Sequence, residues 1–247
     1  MPNNLYLFIK LAAVFTAAFF LYGEAPKASF VTGKVEFVEL EGDKSTNIGL
    51  VEENSTIKRN YLIASAKGSR IEILEEEKIW RLGSLSAARW FNPKSFWLHS
   101  GSALFCTKSN TTLHLSSLDA NATFSGKGTI IIEATSNGGF KFIPLEAQGT
   151  IWTKKGGSKQ IQEGQMLFVL NQPSEFGDAY DIDLMLLLKS SRLLNYFPEP
   201  LPTFDQIGLA IYVQQLKLKG KYDALIGDAT SKDNLQIWKF GKKNTKK

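Results

Sequence analysis

The residues able to do chemistry are few in this chain, and their spacing limits what they can do. His99 in FWLHSG and His114 in TTLHLSS are its two histidines. Each stands out of phase with its apolar neighbours, so each is expected to face solvent or a groove. No cysteine or carboxylate lies at metal-ligand spacing from either, and no metal site is predicted. No Gly-x-Ser-x-Gly elbow accompanies them, although a Ser-His-Asp set assembles in space and does not require one. Glu75-Glu76-Glu77 is the densest carboxylate run and reads as a solvated hairpin loop before KIW. The other Asp and Glu are scattered and single out no carboxylate pair for glycoside hydrolysis. Gly126-Lys127-Gly128 and the KKGG at 154–157 lack phosphate-loop spacing and lead into no helix. Cys106, the one cysteine, excludes an intrachain disulfide, and the alternation of SALFCTK predicts a buried, small apolar side chain. Trp80, Trp90, Trp97 and Trp152 have two readings, as core rings or as a sugar-binding face. No catalytic residue and no cofactor is predicted.

The elements that would carry these side chains are short strands. From Ser29 to about Leu170, stretches such as NYLIASA, SRIEILE, TIIIEAT, FKFIPLEA and GQMLFVL alternate apolar with polar at period two. In SRIEILE, Ile71, Ile73 and Glu75 share one face, and Arg70, Glu72 and Leu74 share the other. EGD, KGS, GKG, SNGG, KKGGS and QEG stand between the strands as turn signals. Asn137-Gly138 and Gly156-Gly157 sit where hairpins need positive φ. Many short strands without intervening helices predict an all-β fold, an antiparallel jelly-roll-like sandwich over residues 29–172. After Asp181 the period changes. IDLMLLLKSSRLLNYF reads as an amphipathic helix capped by Asp181 or Asp183 and stopped by Pro198 and Pro200. TFDQIGLAIYVQQLKLKG reads as a second, with Thr203 and Gln206 at capping-box spacing and Gly220 at its end. This helical extension, 181–220, is expected to lie on the β-domain or on a partner. A strand-like LQIWKF and a basic tail fill 221–247.

The two ends decide location and charge. MPNNLYLFIK, an apolar run and a small-residue patch make residues 1–28 an export signal or signal-anchor, expected to form an N-terminal signal helix. Lys10 interrupts the run from Leu5 to Tyr22, which is then short for a spanning helix. A membrane tether through residues 5–22 is the alternative to cleavage. The formal charge is +5. Residues 1–28 hold two lysines and one glutamate, and the last nine residues hold five lysines, which leaves a body near −1. A nearly neutral domain with a basic tail is not a nucleic-acid-binding surface.

The order of these segments resembles the FecR-type periplasmic domain family over most of the chain after the signal. The domain opens on Gly33-Lys34-Val35. It continues through a strand begun by Ser69, a Gly83-x-x-Ser turn, and the strand FWLHSGSALF with Gly101. Gly126-Lys127-Gly128-Thr129 follows, and the domain closes with Gly149 and Gly164 in LEAQGTIWTKKGGSKQIQEGQMLFV. The resemblance implies a jelly-roll-like domain of a Gram-negative-type cell envelope, and in family members it implies signal relay to an anti-sigma segment. Only about ten residues precede the apolar run, so a stand-alone exported member without that segment is expected. The function predicted is non-enzymatic: binding, scaffolding or signal relay with an envelope protein or polymer. A carbohydrate-binding or carbohydrate-processing protein and a membrane-tethered regulator are the alternatives.

Overall fold

The computed structural model describes residues 25–42, 44–218, 222–225 and 237–240. The predicted signal segment falls almost wholly outside the described residues, as do Gly220 and the lysine-rich end of the tail.

Fifteen strands form one hydrogen-bonded network, and two of them organise the rest. β9 (Ser102–Ser116) and β10 (Asn121–Ala134) are 15 and 14 residues long and pair antiparallel. Each serves two half-sheets. Residues 103–107 of β9 pair with β6 (Lys78–Leu82), which continues through β5 (Arg70–Glu75) to β1 (Lys27–Thr32). The facing part of β10 pairs with β11 (Phe140–Pro144), followed by β14 (Gln165–Leu170) and β15 (Glu175–Asp181). These strands make the first wing. In the second wing, the far end of β9 pairs with β8 (Ser95–Ser100), then β7 (Ala87–Asn92), β4 (Tyr61–Ser65), β2 (Val35–Glu41) and β3 (Lys44–Leu50). The near end of β10 pairs there with β12 (Gln148–Thr153) and β13 (Gly157–Gln160).

The predicted all-β character holds, but the sheet is mixed. β8 and β9 pair in parallel, Ser95 opposite His114 and Trp97 opposite Ser116. The cause is the route of the chain. After Gly101 it enters the first wing and returns to the second only at the far end of β9, running the same way as β8. GKG is also not a turn. Gly126, Lys127 and Gly128 lie inside β10, at a register shift where the strand passes from one wing to the other.

The wings face each other across a core of alternate side chains. Trp80 on β6 stacks on Phe96 of β8 at 4.2 Å and meets Trp90 of β7 edge-on at 5.6 Å. Trp80 and Trp90 are therefore core rings. Each fully buried aromatic of this kind adds roughly 1.5–3 kcal/mol of transfer free energy.

A third layer covers the outer face of the first wing. α1 (Leu184–Ser190), α2 (Arg192–Asn195) and α3 (Phe204–Leu218) pack Leu187, Leu193, Ile207 and Ile211 against Leu104, Ile131, Ile143 and Met166 of the strands. Asp183 caps α1 by accepting from the Leu186 amide at 2.9 Å. The single helix expected over 181–197 is broken in two. Ser191 is extended (φ −74°, ψ 120°), closing α1 and opening α2, and the bend lets Leu193 enter the same core as Leu184 and Leu187. β16 (Tyr222–Leu225) and β17 (Ile237–Phe240) pair as a separate two-stranded sheet. Among the described residues no helix is long and apolar enough to cross a membrane.

Candidate functional site

The helical layer and the bend of β10 concentrate the unusual polar groups of the molecule. Beneath the helices, Arg81 on β6 has no solvent exposure. Its Nε donates to Glu72 at 2.8 Å, its Nη1 to the Leu193 carbonyl at 3.1 Å and its Nη2 to the Glu199 carbonyl at 2.6 Å. Phe197 lies against the guanidinium at 4.3 Å and Phe30 against Phe197 at 5.6 Å. The second Glu72 oxygen accepts from Ser29 at 2.8 Å. Burial lowers the Arg81 pKa, and the Glu72 carboxylate opposes that shift. The arrangement is a clamp between β1, β5, β6 and the segment after α2. A second buried pair, Lys141 to Glu133 at 2.6 Å, ties β11 to β10 on the same face.

A smaller cluster sits where α3 begins. Thr203 and Thr129 share a hydrogen bond of 2.6 Å, and the Cys106 Sγ lies 3.5 Å from the Thr203 hydroxyl. Thr203 thus spends its hydroxyl on the sheet. Cys106 is buried, as its alternating stretch predicts, and burial raises its pKa, which keeps it a thiol. A thiol reagent such as DTNB is expected to leave the native protein unlabelled and to titrate one thiol in urea; rapid native labelling would refute this. Burial also raises the Glu146 carboxyl above its ordinary 4.5, and hydrogen bonds from Thr129 and Thr203 offset this only in part. One Glu146 oxygen has no partner. The folded state therefore holds this proton more tightly than the unfolded chain. The resulting penalty is absent below about pH 4.5 and grows as pH rises through and above that value. Glu146→Gln is expected to raise stability at pH 7 and leave it unchanged at pH 4, as read from urea midpoints at the two pH values.

The residues that carry the family likeness fall in separate places. Ser69 accepts from the Lys34 amide at 2.8 Å beside Gly33, with Val35 in the core. Gly83 lies under Leu193, and Gly101 lies against Ser86. Gly126, Gly128, Thr129 and Gly149 meet at the bend, where Gly126 pairs with Gly149. A Cβ on Gly126 would stand 2.0 Å from the Gln148 carbonyl oxygen, so the strands approach backbone to backbone. Gly164 seats α3. A Cβ there would stand 2.4 Å from Gln214 Nε2, and Gln214 bridges the Leu184 amide (3.0 Å) and the Ile182 carbonyl (2.5 Å).

His99 and His114 are exposed, as expected, and His114 Nδ1 lies 3.0 Å from the Thr123 hydroxyl. Glu75 departs from expectation. It is the buried last residue of β5 and pairs with Arg59, while Glu76 and Glu77 form the turn. Of the tryptophans, Trp97 is half-buried and Trp152 is 46% exposed, both on the outer face of the second wing. Near them, at the bend, a cleft of about 680 Å³ is lined by Lys94, Asn110, Thr112, Ser125, Lys127 and Gln148. The sequence pattern placed none of these in a site, because they come from four separate strands and turns.

The outward side of α3 carries Leu209, Tyr212 and Leu216, each about 60% exposed (62%, 59% and 59%). Their i, i+3, i+7 spacing makes one stripe, opposite Ile207, Ile211 and Gln214. Among the described residues no group of three or more His, Cys, Asp or Glu side chains is placed to hold a metal. No protein-family model, no curated protein and no solved structure matches this chain.

Proposed function

We propose that this chain is a non-enzymatic binding or scaffold protein of the cell envelope, built on a FecR-type, jelly-roll-like β-domain and exported by residues 1–28. The observation that carries the binding role is the apolar stripe Leu209–Tyr212–Leu216. Its helix is fixed to the sheet by the opposite face, so the stripe is presented at a set position and angle. A fixed amphipathic helix with an exposed apolar row suits insertion into a groove on another envelope protein. The likeness to FecR-type domains supports the envelope assignment through the glycine and strand order quoted above.

A photo-crosslinking amino acid at position 212 is the test, compared with the same probe at Leu118, which is also exposed. Position 212 is expected to give one defined adduct in cells. Leu209→Lys with Leu216→Lys is expected to abolish it while changing stability by no more than about 0.5 kcal/mol, as surface substitutions do. Equal adducts at both positions, or none at 212, would reject the proposal. Fractionation and mass spectrometry of the N-terminus check the export step.

A further inference from the structure

The outer face of the second wing offers a different kind of surface. The alternation that sends Leu113, Leu115, Phe124 and Ile151 into the core turns Thr112, His114, Thr123, Ser125, Thr150 and Trp152 outward. These are hydroxyls, an imidazole and one broadly exposed indole. Trp97, on the same face, stands three strands across and two residues along from Trp152 in the order β8, β9, β10, β12, or about 16 Å at ordinary strand dimensions. The cleft opens at the end of this face, with Gly126 and Gly149 among the residues that line it.

The charge of the cleft is one-sided. Lys94 and Lys127 line it, and no carboxylate does. Neither lysine joins any ion pair among the described residues. Two exposed ammonium groups with no carboxylate beside them in the cleft favour an anionic ligand over a neutral one. The neighbouring hydroxyls and the Asn110 and Gln148 amides donate and accept in the manner of sugar hydroxyls. An exposed indole offers a flat apolar ring with a polar edge, which fits the C–H face of a pyranose. A single-stranded nucleic acid would also stack on Trp152, but it needs a basic groove that tracks the phosphate backbone, and two lysines do not make one.

From this we infer that the outer face of the second wing binds an acidic polysaccharide, with Lys94 and Lys127 holding sugar carboxylates and Trp152 stacking on a ring. This goes beyond the protein-binding role of α3 and uses a separate surface, so either assignment can fail alone. Titration calorimetry of the full chain at low salt tests it with three probes: oligogalacturonate, its methyl-esterified neutral form and a single-stranded oligonucleotide. Oligogalacturonate is expected to bind about tenfold or more tightly than the ester, consistent with roughly one charge contact's worth of discrimination. Lys94→Gln with Lys127→Gln is expected to erase that difference, and Trp152→Ala to weaken both sugars. Unchanged urea midpoints keep these variants interpretable, since all three positions are exposed. Absence of oligogalacturonate binding would overturn the inference. So would oligonucleotide binding of equal strength that is lost with Trp152→Ala, or unaltered sugar binding in the lysine variant.

Discussion

Replacing Arg81 with methionine is expected to cost about 3–5 kcal/mol of folding free energy, the range for breaking a buried ion pair from one side. The substitution keeps most of the side-chain volume but removes every donor of the clamp. Glu72 would then be left in a site that is 5% exposed without its guanidinium, and Ser29 would be its remaining donor among the described residues. The Leu193 and Glu199 carbonyls would lose their partners at the same time. Urea unfolding reads the loss, and limited proteolysis between α2 and α3 should accelerate with it. The double variant Arg81→Met, Glu72→Leu separates charge burial from packing. Removing both charges from a buried site is often close to neutral, so most of the lost stability should return. A single variant within about 1 kcal/mol of the parent would mean that the Arg81 clamp adds little to the hold on the helical layer.

The second large effect is expected at the bend. Gly149 has φ +131°, and a Cβ there would stand 2.1 Å from the Ser125 carbonyl oxygen and 2.7 Å from the Gly126 Cα. Both are backbone atoms in paired strands and neither can rotate away. Gly149→Val should cost about 1–3 kcal/mol for overpacking and a similar amount for a left-handed backbone, so about 2–6 kcal/mol in all. Gly157→Val is the control. Gly157 has φ +68° but nothing within 4 Å of its Cβ position, so that variant carries the backbone strain without the collision. Equal losses of thermal stability in the two variants would remove the close approach as a cause.

Much of the β-architecture was legible because alternation follows burial wherever one strand face meets water. β4, with Tyr61, Ile63 and Ser65 turned inward, follows that pattern. The polar residues under the helices were not legible for the same reason. Glu72 was placed correctly on the face opposite Ile71 and Ile73, but that face is covered by the helical layer. Period two reports which face a residue takes, not what lies over it. Arg81, Glu133 and Lys141 were hidden in the same way, since a charged residue in a strand ordinarily marks solvent. GKG resembles a turn because a turn and a bulge use the same residue type, and only the pairing of Gly126 with Gly149 distinguishes them. The break at Ser191 carries no Gly or Pro, and its cause is the tertiary pull on Leu193. The lysine cleft had no pattern to read, since Lys94, just before β8, and Lys127, in β10, come together only because β8 and β10 both pair with β9.

The layering has a consequence for how this sequence can change. In residues 102–107 of β9 and 128–133 of β10, every side chain or glycine is buried, because one side meets the opposite wing and the other meets the helices. Neither stretch has a position at which substitution is free of a packing cost. The edge strand β3 is exposed at all but one of its residues and has almost no such constraint. Substitution in diverged copies of this protein should therefore come most easily at exposed positions such as those of β3, while the paired centres of β9 and β10 admit only volume-matched exchange. An alignment anchored on those two segments would keep its register long after the rest had become unrecognisable.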